Sequence, residues 1–356
     1  MNTRRFPVYL VPWHASVTSR GDEESRLVEA LIDHEALILQ RLLTLQIKGW
    51  NHDVAEQHFQ QQRHTADNAS SELNIIWFTR MKGVLQEIDQ RLHVVLAYEP
   101  MKFLDLGCCP GGFSSYVLEK NPCARGRGIS LPVDEGGHKF ALENHFQSRF
   151  ELTCHNLTSY QMATSYIDDD RFQDLPSDIC DQSYALILLD GHQLRTQTSS
   201  LPWDVDRLLI SQMIIALESV KEGGTIVIKL PLPHKPLAAK ILYLLRVLST
   251  KLCVWKPRSM HSNRGTFYAV AKGVGKGLEG WRLPEMTSAL KEVWTELTFG
   301  GDDGTGRFIS PEDFDFLITT EDLIASHLDW LMQLGTCLWR VQEDSLRRFF
   351  IRNNIV

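Results

Sequence analysis

Residues 103 to 114 read Phe103-Leu104-Asp105-Leu106-Gly107-Cys108-Cys109-Pro110-Gly111-Gly112-Phe113-Ser114. A short apolar run enters a turn rich in glycine, and a helical pattern with Tyr116, Val117 and Leu118 leaves it. Such a strand-to-helix turn is where open α/β sheets bind ligands. Glycine at 107, 111 and 112 lets the backbone approach a bound group with no Cβ in the way, and the start of the next helix offers unpaired N–H groups. A tight structural turn and a nucleotide-phosphate cradle are the competing readings. Against the cradle, the stretch has no G-x-G-x-x-G and no G-K-[ST] ending to set a lysine on phosphate.

Outward from this turn, short apolar runs recur at 102–106, 126–131, 150–154, 184–189, 224–230, 252–256 and 267–271, with helical stretches between most of them. Seven strands with crossover helices predict an α/β fold, a doubly wound and mostly parallel sheet whose last, short-looped pair is antiparallel. On the N-terminal side, Leu27, Leu31, Ala36, Ile38, Leu39, Leu42, Leu43 and Ile47 recur near helical spacing and predict one or two amphipathic helices. Residues 51–71 are polar and read as a linker or an exposed helix. Trp77, Met81, Val84, Leu85, Ile88 and Leu92 mark a further helix that carries Arg80, Lys82 and Glu87 off its apolar stripe. Beyond the glycines at 273 to 277, residues 286–297 and 318–351 read as helices joined by a glycine- and aspartate-rich loop. The expected organisation is a helical extension over 1–70, the sheet domain over 71–275 and a second helical extension over 276–356. The extensions are expected to pack as helical layers or to hold a protein partner.

The chain has 356 residues, 43% apolar and 23% charged, which suits a globular protein with a large core and excludes disordered, collagen-like and coiled-coil classes. No run approaches the roughly 18 apolar residues of a membrane span, and the start lacks a secretory pattern. An intracellular protein of cytoplasm or nucleus is expected, without a membrane partner. Arg4, Arg5 and Arg20 with no acid before Asp22 also fit a mitochondrial transit segment, against which Pro7 and Pro12 count. Seven cysteines without C-x-x-C spacing predict a reducing compartment and no metal site. At a net charge of −7, any binding of nucleic acid must rest on a local basic patch.

The pattern D-L-G-x-x-P-G-G-[FW]-S resembles the first S-adenosylmethionine motif of the FtsJ-like ribose 2′-O-methyltransferases. Leu208-Leu209-Ile210-Ser211-Gln212 and Gly223-Gly224-Thr225-Ile226-Val227-Ile228-Lys229-Leu230 resemble that family's helix and its lysine-bearing strand, so the likeness covers roughly residues 75 to 273. It implies a Rossmann-like methyltransferase fold, S-adenosylmethionine as cofactor, and methylation of an RNA ribose, as in rRNA processing. By the same resemblance, Asp105, Gly107, Cys108, Cys109, Pro110, Gly111, Gly112, Phe113 and Asp190 would bind the cofactor, with Phe113 as core filler the alternative. Ser130 stands where an acid would meet the cofactor ribose, with Asp134 near enough to substitute. Asn156 stands where an aspartate would meet the adenine amino group, and its amide carbonyl can still accept that bond.

The family's catalytic set is lysine, aspartate, lysine and glutamate. Asp190 closes the apolar run 186–189 and matches the aspartate, with a helix N-cap the alternative role. Lys229 lies in an apolar strand, where an unpaired ammonium is costly, and matches the second lysine unless it snorkels to the strand end. Lys82 is the candidate for the first lysine, with Arg80 or a plain solvated face competing. The glutamate position falls on Thr266 in Asn263-Arg264-Gly265-Thr266-Phe267. Lys256, Arg258, His261 and Arg264, with Lys235, form a basic run expected to meet RNA phosphates, although each charge alone reads as well as a solvated side chain. Two further readings stay open: a non-catalytic binding module that keeps the fold, and a methyltransferase acting on a small hydroxylated molecule.

Overall fold

The computed structural model describes residues 18–67, 71–194, 197 and 201–355. The arginines and prolines weighed for a transit segment lie outside them, apart from Arg20. Four helices come first: α1 (Thr18–Asp33), α2 (Leu37–Trp50), α3 (Asp53–Asp67) and α4 (Ser71–Leu92). The alternating part runs β1 (Met101–Leu106), α5 (Gly112–Lys120), β2 (Ala124–Ser130), β3 (Phe150–Cys154), β4 (Tyr184–Leu189), α6 (Asp204–Ser219), β5 (Val220–Leu230), α7 (Pro236–Leu248), β6 (Ser249–Trp255) and β7 (Phe267–Val274). Two helices close the chain, α8 (Leu283–Phe299) and α9 (Thr320–Arg352). The polar stretch after α2 is thus largely helical, anchored by the fully buried Ala55.

The seven strands form one sheet in the order β3-β2-β1-β4-β5-β7-β6. All pairs from β3 to β5 are parallel, and β7 runs antiparallel to both β5 and β6, as the short β6–β7 connection requires. The chain order reverses beside β1, which places the switch point of the sheet at the C-terminal ends of β1 and β4.

Side chains alternate across a strand, and the two faces bury different partners. Leu104, Leu106, Ile187, Leu189, Ile226 and Ile228 join a core with α6, α7 and α8 that continues into α1, α2 and α9 through Leu27, Leu31, Leu39, Leu42, Leu331 and Leu338. Phe103, Leu186, Leu188, Val227, Tyr268 and Val270 face α4 and α5, against Val84, Leu85, Ile88, Phe113 and Val117. The same two-residue period puts Asp105, Asp190 and Lys229 on this second face. No helix among the described residues is long and apolar enough to cross a membrane.

Candidate active site

The β1–α5 turn is built by exclusion of side chains. Gly107 has φ 78°, and a Cβ on it would lie 2.3 Å from the Cα of Gly191, so the turns after β1 and β4 touch backbone to backbone. Gly191 N–H donates to Leu106 O at 3.1 Å and Gln212 Oε1 accepts from it at 2.9 Å. Gln212 Nε2 in turn donates to Gly191 O at 3.2 Å, so an amide on α6 fixes the turn that follows Asp190. Gly111, with φ 110°, caps α5 without a side-chain bond. The start of α5 is therefore without a side-chain cap from Gly111, the position at which a helix favours an anionic group.

Gly112 answers a different need. A Cβ there would sit 2.4 Å from Phe78 O and 2.7 Å from Lys82 N, so this glycine lets α5 pack on α4. Asp105, 1% exposed, accepts from Ser114 Oγ at 2.6 Å through Oδ2, while its buried Oδ1 has no partner. Burial raises its carboxyl to about 7, against the Ser114 bond and with the help of the Asp190 charge. Asp105, Gly107, Cys108, Phe113 and Asp190 line one crevice.

Lys229 Nζ donates to Asp190 O at 2.6 Å and lies 3.1 Å from Asp190 Oδ1 and 3.3 Å from His192 Nδ1. Tyr268 is the residue paired with Lys229 across β5 and β7, and its hydroxyl donates to Asp190 Oδ1 at 2.8 Å. Burial, and then the Asp190 carboxylate, push the Tyr268 hydroxyl well above its ordinary pKa, which keeps it a donor. His261, at φ 66°, borders the same group. Burial and then the Lys229 charge lower its pKa to about 4, so it is neutral there.

Other sequence candidates are used elsewhere. Lys82 pairs with Glu119 at 2.6 Å and Glu143 at 3.3 Å, not with Asp190 or Lys229; its side chain crosses to α5 instead of reaching the sheet edge. Ser130 accepts from Cys109 N at 3.3 Å and so braces the turn after β1. Asn156 caps a short helical turn, accepting from Thr158 N at 3.0 Å and Thr158 Oγ1 at 2.8 Å, which occupies the carbonyl expected to face adenine. Lys256 is 3% exposed and donates to the carbonyls of Arg264 and Thr266. Burial lowers its pKa to about 7, and its two carbonyl bonds stitch the β6–β7 loop together. Arg264 bonds Gln62 and stacks 4.7 Å over Phe59, both on α3. Of the basic run, Arg258 keeps its side chain exposed.

Four residues that the sequence reading did not single out as site residues shape the cleft: His192, Tyr268, Gln212 and Glu87. Glu87 on α4 accepts from Trp255 Nε1 at 3.1 Å, Arg258 N at 2.9 Å and Ser259 Oγ at 2.9 Å, and so holds the loop after β6. Gln212 had a sequence signal in the helix motif after β4, and Glu87 was visible only as a charge off the apolar stripe of its helix.

A parallel sheet with an antiparallel last strand, a glycine turn at its switch point and a lysine–aspartate pair at the adjoining strand ends define a Rossmann-like methyltransferase. The model of the FtsJ-like methyltransferase family matches residues 84–274, and the chain belongs to that family. Among curated relatives, the cap-specific mRNA (nucleoside-2'-O-)-methyltransferase 1 of Bos taurus is 28% identical over 51% of this chain and 22% of its own length. The corresponding 1A protein of Caenorhabditis briggsae is 24% identical over 56% of this chain and 23% of its own. The matched region thus spans less than a quarter of those relatives. A ribosomal RNA methyltransferase structure from Plasmodium falciparum is similar at 18% identity and TM-score 0.39, over 55% of this chain and 97% of that one.

Proposed function

We propose that this chain transfers a methyl group from S-adenosylmethionine to a ribose 2′-hydroxyl of RNA. The observation that carries the reading is the Lys229–Asp190 pair, held by Tyr268 at the sheet edge beside the β1–α5 turn. When bound, the cofactor supplies an electrophilic methyl on a positively charged sulfur. Asp105 Oδ1, buried and without a partner, suits an amino group, and the uncapped start of α5 suits a carboxylate. These two requirements meet in the amino-acid end of such a cofactor. Phe113 and Ser130 border the same turn or the neighbouring strand end and are the candidates for its nucleoside end.

Lys229, as the neutral amine, takes the proton of the ribose hydroxyl while the oxygen gains the methyl. Asp190 holds the amine in place through its carbonyl and carboxylate oxygens, which sets the geometry of the acceptor. Arg258 supplies a phosphate contact beside the cleft. The relatives named for cap methylation make capped mRNA the first RNA to offer, with ribosomal RNA second.

The test is transfer of labelled methyl from S-adenosylmethionine to capped RNA, ribosomal RNA and a DNA oligonucleotide of matching sequence, with calorimetry on S-adenosylhomocysteine in parallel. Label on RNA but not on DNA, with Gly111→Arg abolishing the binding heat, is the expected outcome. Cofactor binding without transfer to either RNA would leave a non-catalytic module as the better description.

A further inference from the structure

We propose that His192 is a positioning residue for Lys229, its imidazole standing as the third hydrogen-bond partner of the lysine nitrogen in a chain whose position 266 supplies no carboxylate. This rests on the methyl-transfer reading above.

An ammonium has three N–H groups, all donors. At Lys229 the acceptors within reach are Asp190 O at 2.6 Å, Asp190 Oδ1 at 3.1 Å and His192 Nδ1 at 3.3 Å. Residue 266 directly precedes β7, two residues before the Tyr268 that pairs with Lys229. There Thr266 offers a short neutral hydroxyl, and its carbonyl is taken by Lys256. His192 reaches the lysine from the other side, from the turn that Gln212 fixes after β4.

His192 Nδ1 lies 3.4 Å from Asp190 O as well as 3.3 Å from Lys229 Nζ; with its proton on Nε2 it accepts from the ammonium, which cannot itself accept. A second proton on the ring would set N–H against N–H and break the contact. Asp190, Lys229, His261, Lys256 and Tyr268 surround this pair. Of these, Tyr268 stays protonated and His261 neutral down to about 4.

Two variants and one spectrum test this. His192→Ala should lower kcat on RNA by about tenfold or more with KM for S-adenosylmethionine unchanged. His192→Asn, whose amide oxygen replaces Nδ1 as acceptor, should recover most of kcat. An unchanged kcat in His192→Ala would overturn the proposal. The imidazole nitrogen shifts of His192, compared between wild type and Lys229→Met, need no turnover. A change in those shifts supports the contact even where wild type methylates nothing, and identical shifts would overturn it whatever the activity.

Discussion

Asp105 and Lys229 are charged residues set among the apolar residues of β1 and β5. Lys229 interrupts a strand of Ile226, Val227, Ile228 and Leu230 and is stabilised by Asp190. Asp105 is buried with one oxygen unpartnered, so its folded-state pKa rises from 3.8 to about 7. A carboxyl raised in this way contributes stability below its unfolded pKa, and that contribution is lost as pH rises through about 7. Asp105→Asn should therefore gain stability over wild type as pH climbs from about 4 to about 7, approaching about 4 kcal/mol at most, and level off above. Thermal melts of both proteins without cofactor across that range check it. A stability difference that does not vary with pH would contradict the assignment.

At the scale of elements, α4 and the β6–β7 loop frame the cleft. Gly112→Ala would drive a Cβ into Phe78 O and Lys82 N, so α5 must move off α4. A loss of about 1–3 kcal/mol, with weaker binding of S-adenosylhomocysteine, is expected from melting and calorimetry. In the loop, Arg258→Ala should weaken RNA binding and reduce its salt dependence by about one phosphate contact. Lys256→Met should instead lower stability and leave the salt slope unchanged, because Lys256 holds the Arg264 and Thr266 carbonyls. The sequence made the strands legible because β1, β4 and β5 are apolar runs buried on both faces, and the 103–114 turn marked where they lead. Asp190 and Lys229 were legible as charges ending or interrupting such runs. The destinations of Lys82, Lys256 and Arg264 were not, since a long side chain's partner lies across the fold at Glu143, in the loop carbonyls or on Gln62. His192 was hidden for a related reason: it sits in a turn with no periodicity, and only the β4–β5 pairing brings it to Lys229.

Across the whole molecule, the terminal helices belong to the same core as the sheet. Leu39 and Leu42 on α2 are fully buried with Leu331 and Leu338 on α9, in the cluster that holds Leu104 and Ile187. Arg41 of α2 also lies 3.2 Å from Glu343 of α9. Leu42→Ala should cost about 2–5 kcal/mol and lower the melting temperature of the entire chain in one transition. A separate early transition, with the sheet melting as before, would show the helices to be independent. Arg264 ties α3 to the β6–β7 loop, so the N-terminal helices as well as the sheet shape the surroundings of the cleft. The most direct test of the central claim is mass spectrometry of nucleosides from RNA incubated with S-adenosylmethionine and either wild type or Lys229→Ala. The expected result is a 2′-O-methylated nucleoside with wild type and its loss with Lys229→Ala, while both bind S-adenosylhomocysteine alike. Equal methylation by the two proteins, or a methyl found on a base and not on ribose, would contradict the account.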